Sequence, residues 1–295
     1  MDTNKLSNKA RLLHLSALSL AQGMKSGSFK SLYRGHGIEF DGVREYLPGD
    51  DVRSIDWNVT ARMGHPYVKM YEEERELDVL VILDVSESMN SYSENKSKLQ
   101  TALEAASLIT LASFQNASPV GCVIFDGQIK FSCPPRPGLN QTMLLLSNFE
   151  KNEAPLKSEQ TKGSVLDNAI RGAGRLLKKR SLVMIFSDFR TASWTEPFDA
   201  LCQKNDVVCV RLVDAFDENL PDVGSVRFSD PETGLDQVLP TSSSKFKSQW
   251  RDFNFNKVEM WKHECLRRGG LPLLLKTSAD PLTELTRFFA AREVQ

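Results

Sequence analysis

Two apolar runs constrain this chain most: Val79-Leu80-Val81-Ile82-Leu83 and Val183-Met184-Ile185-Phe186. Each has the length of a strand and no polar interruption, and each leads to an aspartate, Asp84 and Asp188. Strands buried on both faces read this way, and they belong to parallel sheets covered by helices on either side. Stretches with helical spacing lie between and after them. The first, Lys98 to Phe114, puts Leu99, Leu103, Ala106, Ile109 and Thr110 on one face. Others cover Asn140 to Phe149, Ser164 to Leu177, Glu196 to Gln203 and Pro281 to Ala290, the last with proline in its first turn. Further strands are expected at Pro119 to Phe125, Asp206 to Leu212 and Leu271 to Lys276. Asp126-Gly127 turns the first of these back into Gln128 to Ser132.

The alternation predicts an α/β fold, a doubly wound and mostly parallel sheet. Ahead of it the pattern predicts a helix over about residues 5–24 and a small β-rich segment, extended at Gly37 to Tyr46 and Pro66 to Arg75. The expected division is residues 1–76 for helix and β-rich segment and 77–295 for the sheet domain, with an extension from about 215. In that extension a small hairpin is expected near 225–239. Phe246, Trp250, Phe253, Met260, Trp261 and Cys265 give a long helix an apolar stripe that is expected to face the core.

The function classes narrow with composition. A formal net charge of -1 removes a global electrostatic case for nucleic-acid binding. The basic clusters Lys178-Lys179-Arg180 and Arg267-Arg268 fall at expected helix C-termini, where they complement the helix dipole. The 5 cysteines, Cys122, Cys133, Cys202, Cys209 and Cys265, include no Cys-x-x-Cys pair, so neither a disulfide framework nor a zinc knuckle is expected. Leu12 to Ala21 mimics a leader peptide, but His14, Ser16 and Ser19 interrupt it and its apolar residues fall at helical spacing, so an amphipathic helix is expected. No stretch is long enough to cross a membrane, and a cytoplasmic location is expected.

Chemistry concentrates at the strand ends. Asp84-Val85-Ser86-Glu87-Ser88 offers one carboxylate and two hydroxyls at alternate positions. Ser164 adds a hydroxyl at a helix start, and Asp188 adds a second strand-end carboxylate. In a doubly wound sheet these loops can share one edge, where such folds place ligands. Hard oxygen donors suit Mg²⁺, or Mn²⁺ or Ca²⁺, better than Zn²⁺. Aspartate and serine after a strand also serve as plain helix caps, which is the competing reading.

This set resembles the metal-ion-dependent adhesion site of the von Willebrand factor A domain, whose pattern is Asp-x-Ser-x-Ser, then Thr, then a strand-end Asp. Asp84, Ser86, Ser88, Ser164 and Asp188 take those positions, with serine where threonine is usual. In that family the hydroxyls bind the metal directly and an open coordination position attracts a partner's acidic side chain.

A denser signature precedes it: Tyr33-Arg34-Gly35-His36-Gly37-Ile38-Glu39-Phe40, then Val43 to Trp57, Ala61-Arg62, Val68-Lys69 and the acidic run Glu72 to Glu76. It resembles the bacterial domain-of-unknown-function family 58, over roughly residues 8–215. The resemblance implies a protein-interaction module that is a partner or adaptor of a MoxR-type AAA+ ATPase, or binds its client, in protein assembly or maturation. From the residues themselves, Arg44, Glu45, Asp50, Asp51, Arg53, Asp56 and Arg62 suggest an ion-pair network anchored by Trp57, or else a partner surface. The rival to a binding module is a Mg²⁺-dependent, phosphatase-like hydrolase using the same carboxylates. Ser86 stands where a haloacid-dehalogenase pattern needs a second Asp, and neither a Gly-x-Ser-x-Gly elbow nor a Walker loop occurs. No catalytic function is expected.

Overall fold

The computed structural model describes residue 21 and residues 39–72, 77–90, 96–152, 166–191, 193–229 and 236–291. The described chain forms two compact units: one within Lys30–Glu76, the other holding Ala21 and everything from Leu77 onward.

In the smaller unit, strand β1 (Glu39–Glu45) pairs antiparallel with β2 (Tyr67–Glu72). The helix α1 (Trp57–Met63) lies between them in sequence. Asp56 caps it by accepting the Asn58 and Val59 N–H groups, and Gly64 closes it at φ 77°. Arg44 forms a bidentate pair with Asp50, both bonds 2.7 Å, and Asp50 also accepts the Leu47 N–H at 2.8 Å. The expected charge network therefore exists in part, with Asp51 and Asp56 spent on helix caps. Trp57 is not its anchor: it is 67% exposed, because α1 turns that position outward.

The larger unit is a six-stranded sheet in the order β10 (Leu271–Lys276), β7 (Asp206–Val213), β6 (Ser181–Ser187), β3 (Asp78–Asp84), β4 (Val120–Phe125), β5 (Ile129–Arg136). Every neighbouring pair is parallel except the β4–β5 hairpin. Strand alternation sorts the core into two layers. Val79, Val81 and Leu83 of β3 pack with α2 (Lys98–Gln115), α3 (Leu139–Lys151) and α8 (Pro281–Ala290). Leu80 and Ile82 face α4 (Leu166–Leu176), α5 (Thr195–Cys202) and the C-terminal turns of α7 (Ser244–Arg267). A short helix α6 (Ala215–Glu218) and a hairpin of β8 (Ser225–Ser229) with β9 (Asp236–Pro240) fill the stretch before α7.

The doubly wound, mostly parallel sheet is the one the sequence pattern predicts. The α7 stripe differs. Of its apolar residues Trp261 and Cys265 are buried, whereas Phe253 is 55% and Met260 70% exposed. Only the last turns of this 24-residue helix meet the sheet, so Phe253 has no core to enter, and Met260 lies off the face that buries Trp261 and Cys265. The basic clusters are occupied in ion pairs: Lys179 with Asp78 at 3.1 Å, Arg180 with both oxygens of Asp206, and Arg268 with Glu264 at 3.1 Å. Among the described residues no helix is long and apolar enough to cross a membrane.

Candidate functional site

The central strands create the site. β3 and β6 run parallel side by side with Leu83 level with Phe186, so Asp84 and Ser187 arrive together at the same sheet edge and Asp188 follows. β4 lies on the other side of β3, so the sheet order departs in both directions from β3, the arrangement that opens a crevice at strand C-termini.

Asp84 is fixed by two bonds. The Ser187 hydroxyl donates to Oδ2 at 2.6 Å, and the Ser86 N–H donates to Oδ1 at 3.0 Å. The chain then enters one 3₁₀ turn, Glu87–Asn90, which brings the Ser86 and Ser88 hydroxyls within 3.2 Å of each other. Across the edge, Ser187 Oγ accepts the Phe189 N–H at 3.1 Å and Asp188 Oδ1 accepts the Arg190 N–H at 3.2 Å. Phe189 has φ 51°, a left-handed conformation that costs a non-glycine residue energy. Packing holds it there, with the ring centroids of Trp194 and Trp261 each 5.3 Å away.

Both carboxylates are buried. Burial pushes the Asp84 carboxyl up to about 6, the negative charge of Asp188 pushes the same way, and bonds from Ser187 and Ser86 oppose them. Asp188 Oδ2 has no hydrogen-bond partner. Two cations stand near it, Arg190 Nε at 3.4 Å and Lys98 Nζ at 3.9 Å. Lys98 is 1% exposed and its firm partner is Asp217, at 2.9 Å. Burial raises the Asp217 carboxyl, but Lys98 and Arg190 outweigh it and hold the group below the usual carboxylate range.

The structure thus gathers Asp84, Ser86, Ser88 and Asp188, while Ser164 falls outside the described residues. Three members escaped the sequence pattern: Ser187, Lys98 and Asp217. Ser187 directly precedes Asp188, so a hydroxyl beside the second carboxylate was there to be read. Lys98 follows the capping residue Ser97 like any surface lysine, and Asp217 comes from α6 beyond the next strand. Neither carries a sequence signal for burial.

The donor set fits a hard divalent cation. Two buried carboxylates repel each other, one of their oxygens accepts no hydrogen bond, and hydroxyl oxygens stand beside them. Among the described residues no three His, Cys, Asp or Glu side chains gather, so a cation here would be held by Asp84 and Asp188 with Ser86 and Ser88.

The sequence matches the family described as "Protein of unknown function DUF58" over residues 42–258. The uncharacterized protein Rv1480 of Mycobacterium tuberculosis is 30% identical over 294 residues, which is 99% of this chain and 91% of that protein. Among solved structures, the conserved hypothetical protein BatB from Bacteroides thetaiotaomicron is similar with a TM-score of 0.47 and 16% identity, covering 74% of this chain and 100% of that one. The SpRpn10 VWA domain is similar with a TM-score of 0.38 and 9% identity, over 72% of this chain and 94% of that one.

Proposed function

Because this chain belongs to the DUF58 family of proteins of unknown function and carries a von Willebrand A-like sheet, we propose that it is a metal-ion-dependent protein-interaction module. The observation that carries the reading is the buried Asp188 Oδ2, which has no hydrogen bond and only longer ion pairs to Arg190 and Lys98, beside an Asp84 carboxyl that burial pushes up to about 6. A buried carboxylate pair is costly unless a counter-charge joins it. Asp84 and Asp188 would hold Mg²⁺, or Mn²⁺ or Ca²⁺, with Ser86, Ser88 and, from the family pattern, Ser164. When bound, the cation supplies an open position for a carboxylate oxygen of a partner. Ser187 keeps the Asp84 carboxylate turned toward this edge, and the 3₁₀ turn keeps both serine hydroxyls beside it.

The resemblance to family 58 directs the partner search to a MoxR-type AAA+ ATPase or its client. Two measurements test the reading. Millimolar Mg²⁺, Mn²⁺ or Ca²⁺ should raise the melting temperature of the protein and leave Asp84→Ala unmoved. Capture of the ATPase should fail in EDTA and with Asp84→Ala. A wild-type protein indifferent to all three cations overturns the metal site, and capture that survives EDTA overturns its role in partner binding.

A further inference from the structure

A cleft of about 900 Å³ opens from Ser88 and Asp188 along the ends of β6, β7 and β10 to the outer face of α7. Its polar lining is not neutralised. Arg190 and Lys98 are tied to Asp217. Arg211 lies over the Trp261 ring at 5.5 Å and Lys257 over the Phe253 ring at 4.3 Å, and among the described residues neither is paired with a carboxylate. These cations are close enough to act on one another. Partial loss of surrounding water first, then Arg190 and Arg211, hold the Lys257 ammonium below its usual range. Burial also lowers Arg211, with Arg190 adding to the drop and Asp188 and Asp217 resisting it from a distance. Placing several cations where they repel, beside aromatic faces, makes a position that an anion relieves.

We propose that this cleft receives an acidic peptide segment of a protein partner, with Arg211 and Lys257 together binding one of its carboxylates. The site deepens the metal-module reading and rests on it for a second carboxylate at the Ser88 and Asp188 end. The charge pattern selects a peptide over a polyphosphate. Asp188, Asp217, Glu218, Glu259 and Glu264 share the cleft with the cations, so a ligand with charge on every unit meets repulsion that spaced carboxylates avoid. The apolar rim points the same way: Phe253, Phe255 and Met260 line the cleft and stand exposed, giving an apolar shelf for side chains between the acidic ones.

The test uses the full chain and a fluorescein-labelled peptide of repeating Glu-Leu-Glu-Phe, read by anisotropy. The controls are the same peptide with glutamine for glutamate and an oligothymidylate of equal length. Saturable binding of the acidic peptide, weakened about tenfold by Lys257→Gln and by Arg211→Gln, supports the site. Lys257 is exposed, so its variant keeps the test sound if Arg211→Gln folds poorly. No binding, equal binding of the glutamine peptide, wild-type binding by both variants, or tighter Arg211-dependent binding of oligothymidylate overturns it. EDTA separates the two readings. Binding lost in EDTA but intact in both variants overturns the cleft and spares the metal site. Binding that persists in EDTA and falls in the variants supports the cleft whether or not the metal site holds.

Discussion

Replacing Asp84 by asparagine should stabilise the cation-free protein at neutral pH, although it removes the residue most central to the site. The carboxyl lies at about 6 in the fold against an ordinary 3.8. At about 1.4 kcal/mol per pH unit, that difference means the folded state loses about 3 kcal/mol by ionising this group. The sign follows from the raised value: the protonated form favours the fold, so full stability holds below about pH 4 and is lost as pH rises through about 6. Asparagine never ionises and escapes the loss. It has one acceptor oxygen where Asp84 used two, and the cost of rearranging the Ser187 and Ser86 bonds is about 1 kcal/mol. The net gain is about 2 kcal/mol at pH 7.5, or roughly 4–8 °C in melting temperature. Near pH 5 the ionisation penalty is about half as large, and the gain shrinks with it. Cations reverse the order. At a hundred times its dissociation constant Mg²⁺ adds about 3 kcal/mol to the wild type and nothing to the variant. Scanning fluorimetry at pH 5 and 7.5, with EDTA or Mg²⁺, gives the four comparisons. An asparagine variant that is less stable than wild type by the same amount at both pH values, in EDTA, would show that charge burial is not what Asp84 suffers.

Further expectations address the neighbours. Ser86→Ala with Ser88→Ala should leave urea stability within about 1 kcal/mol of wild type and abolish the Mg²⁺-dependent rise in melting temperature. Lys98→Met leaves the half-buried Asp217 with Arg190 as its remaining cation; a loss of about 2–3 kcal/mol in urea unfolding is expected, and a loss under about 1 kcal/mol would refute the pairing. The Asp217 carboxyl is held below its usual range, so its contribution is present above about pH 4 and disappears as pH falls through the lowered value; Asp217→Asn should flatten that acid limb in a pH series of urea midpoints. Gly270→Ala would place a Cβ 2.3 Å from the Phe198 ring, and overpacking of this core should lower stability by about 1–3 kcal/mol, measured by calorimetry.

The sheet was legible because its signal is local. In Val79 to Leu83 and Leu182 to Phe186 every side chain is buried, so composition alone marks a strand covered on both faces. One helix start was legible for the same reason, the proline that stands in the first turn of α8; the reciprocal Ser97 and Gln100 bonds that open α2 and the Asp280 cap of α8 are local too but were not read. Two expectations failed where periodicity stood in for contact. Apolar residues on α7 recur at helical spacing, but a helix buries only what its neighbours cover, and Phe253 and Met260 line an open cleft instead. Trp57 was assigned an anchoring role by size, and its exposure reflects the orientation of α1, which no spacing rule encodes.

The electrostatics of the site were the least legible part, for a physical reason. Whether a charge is costly depends on the groups that surround it, and those come from distant parts of the chain. Asp84 is read as a donor from its own loop, yet its carboxyl is governed by burial and by Asp188, 104 positions later. Lys98 is buried because Asp217 meets it from beyond β7 and because Asp188 is close enough to share its field without taking a hydrogen bond. The ammonium is therefore committed to Asp217, and Asp188 Oδ2 keeps only the longer ion pairs to Arg190 at 3.4 Å and Lys98 at 3.9 Å, with no hydrogen bond. An internal lysine that satisfied both carboxylates would have closed the site. One that leans toward Asp217 stabilises the fold around the edge and leaves Asp188 Oδ2 without a hydrogen bond.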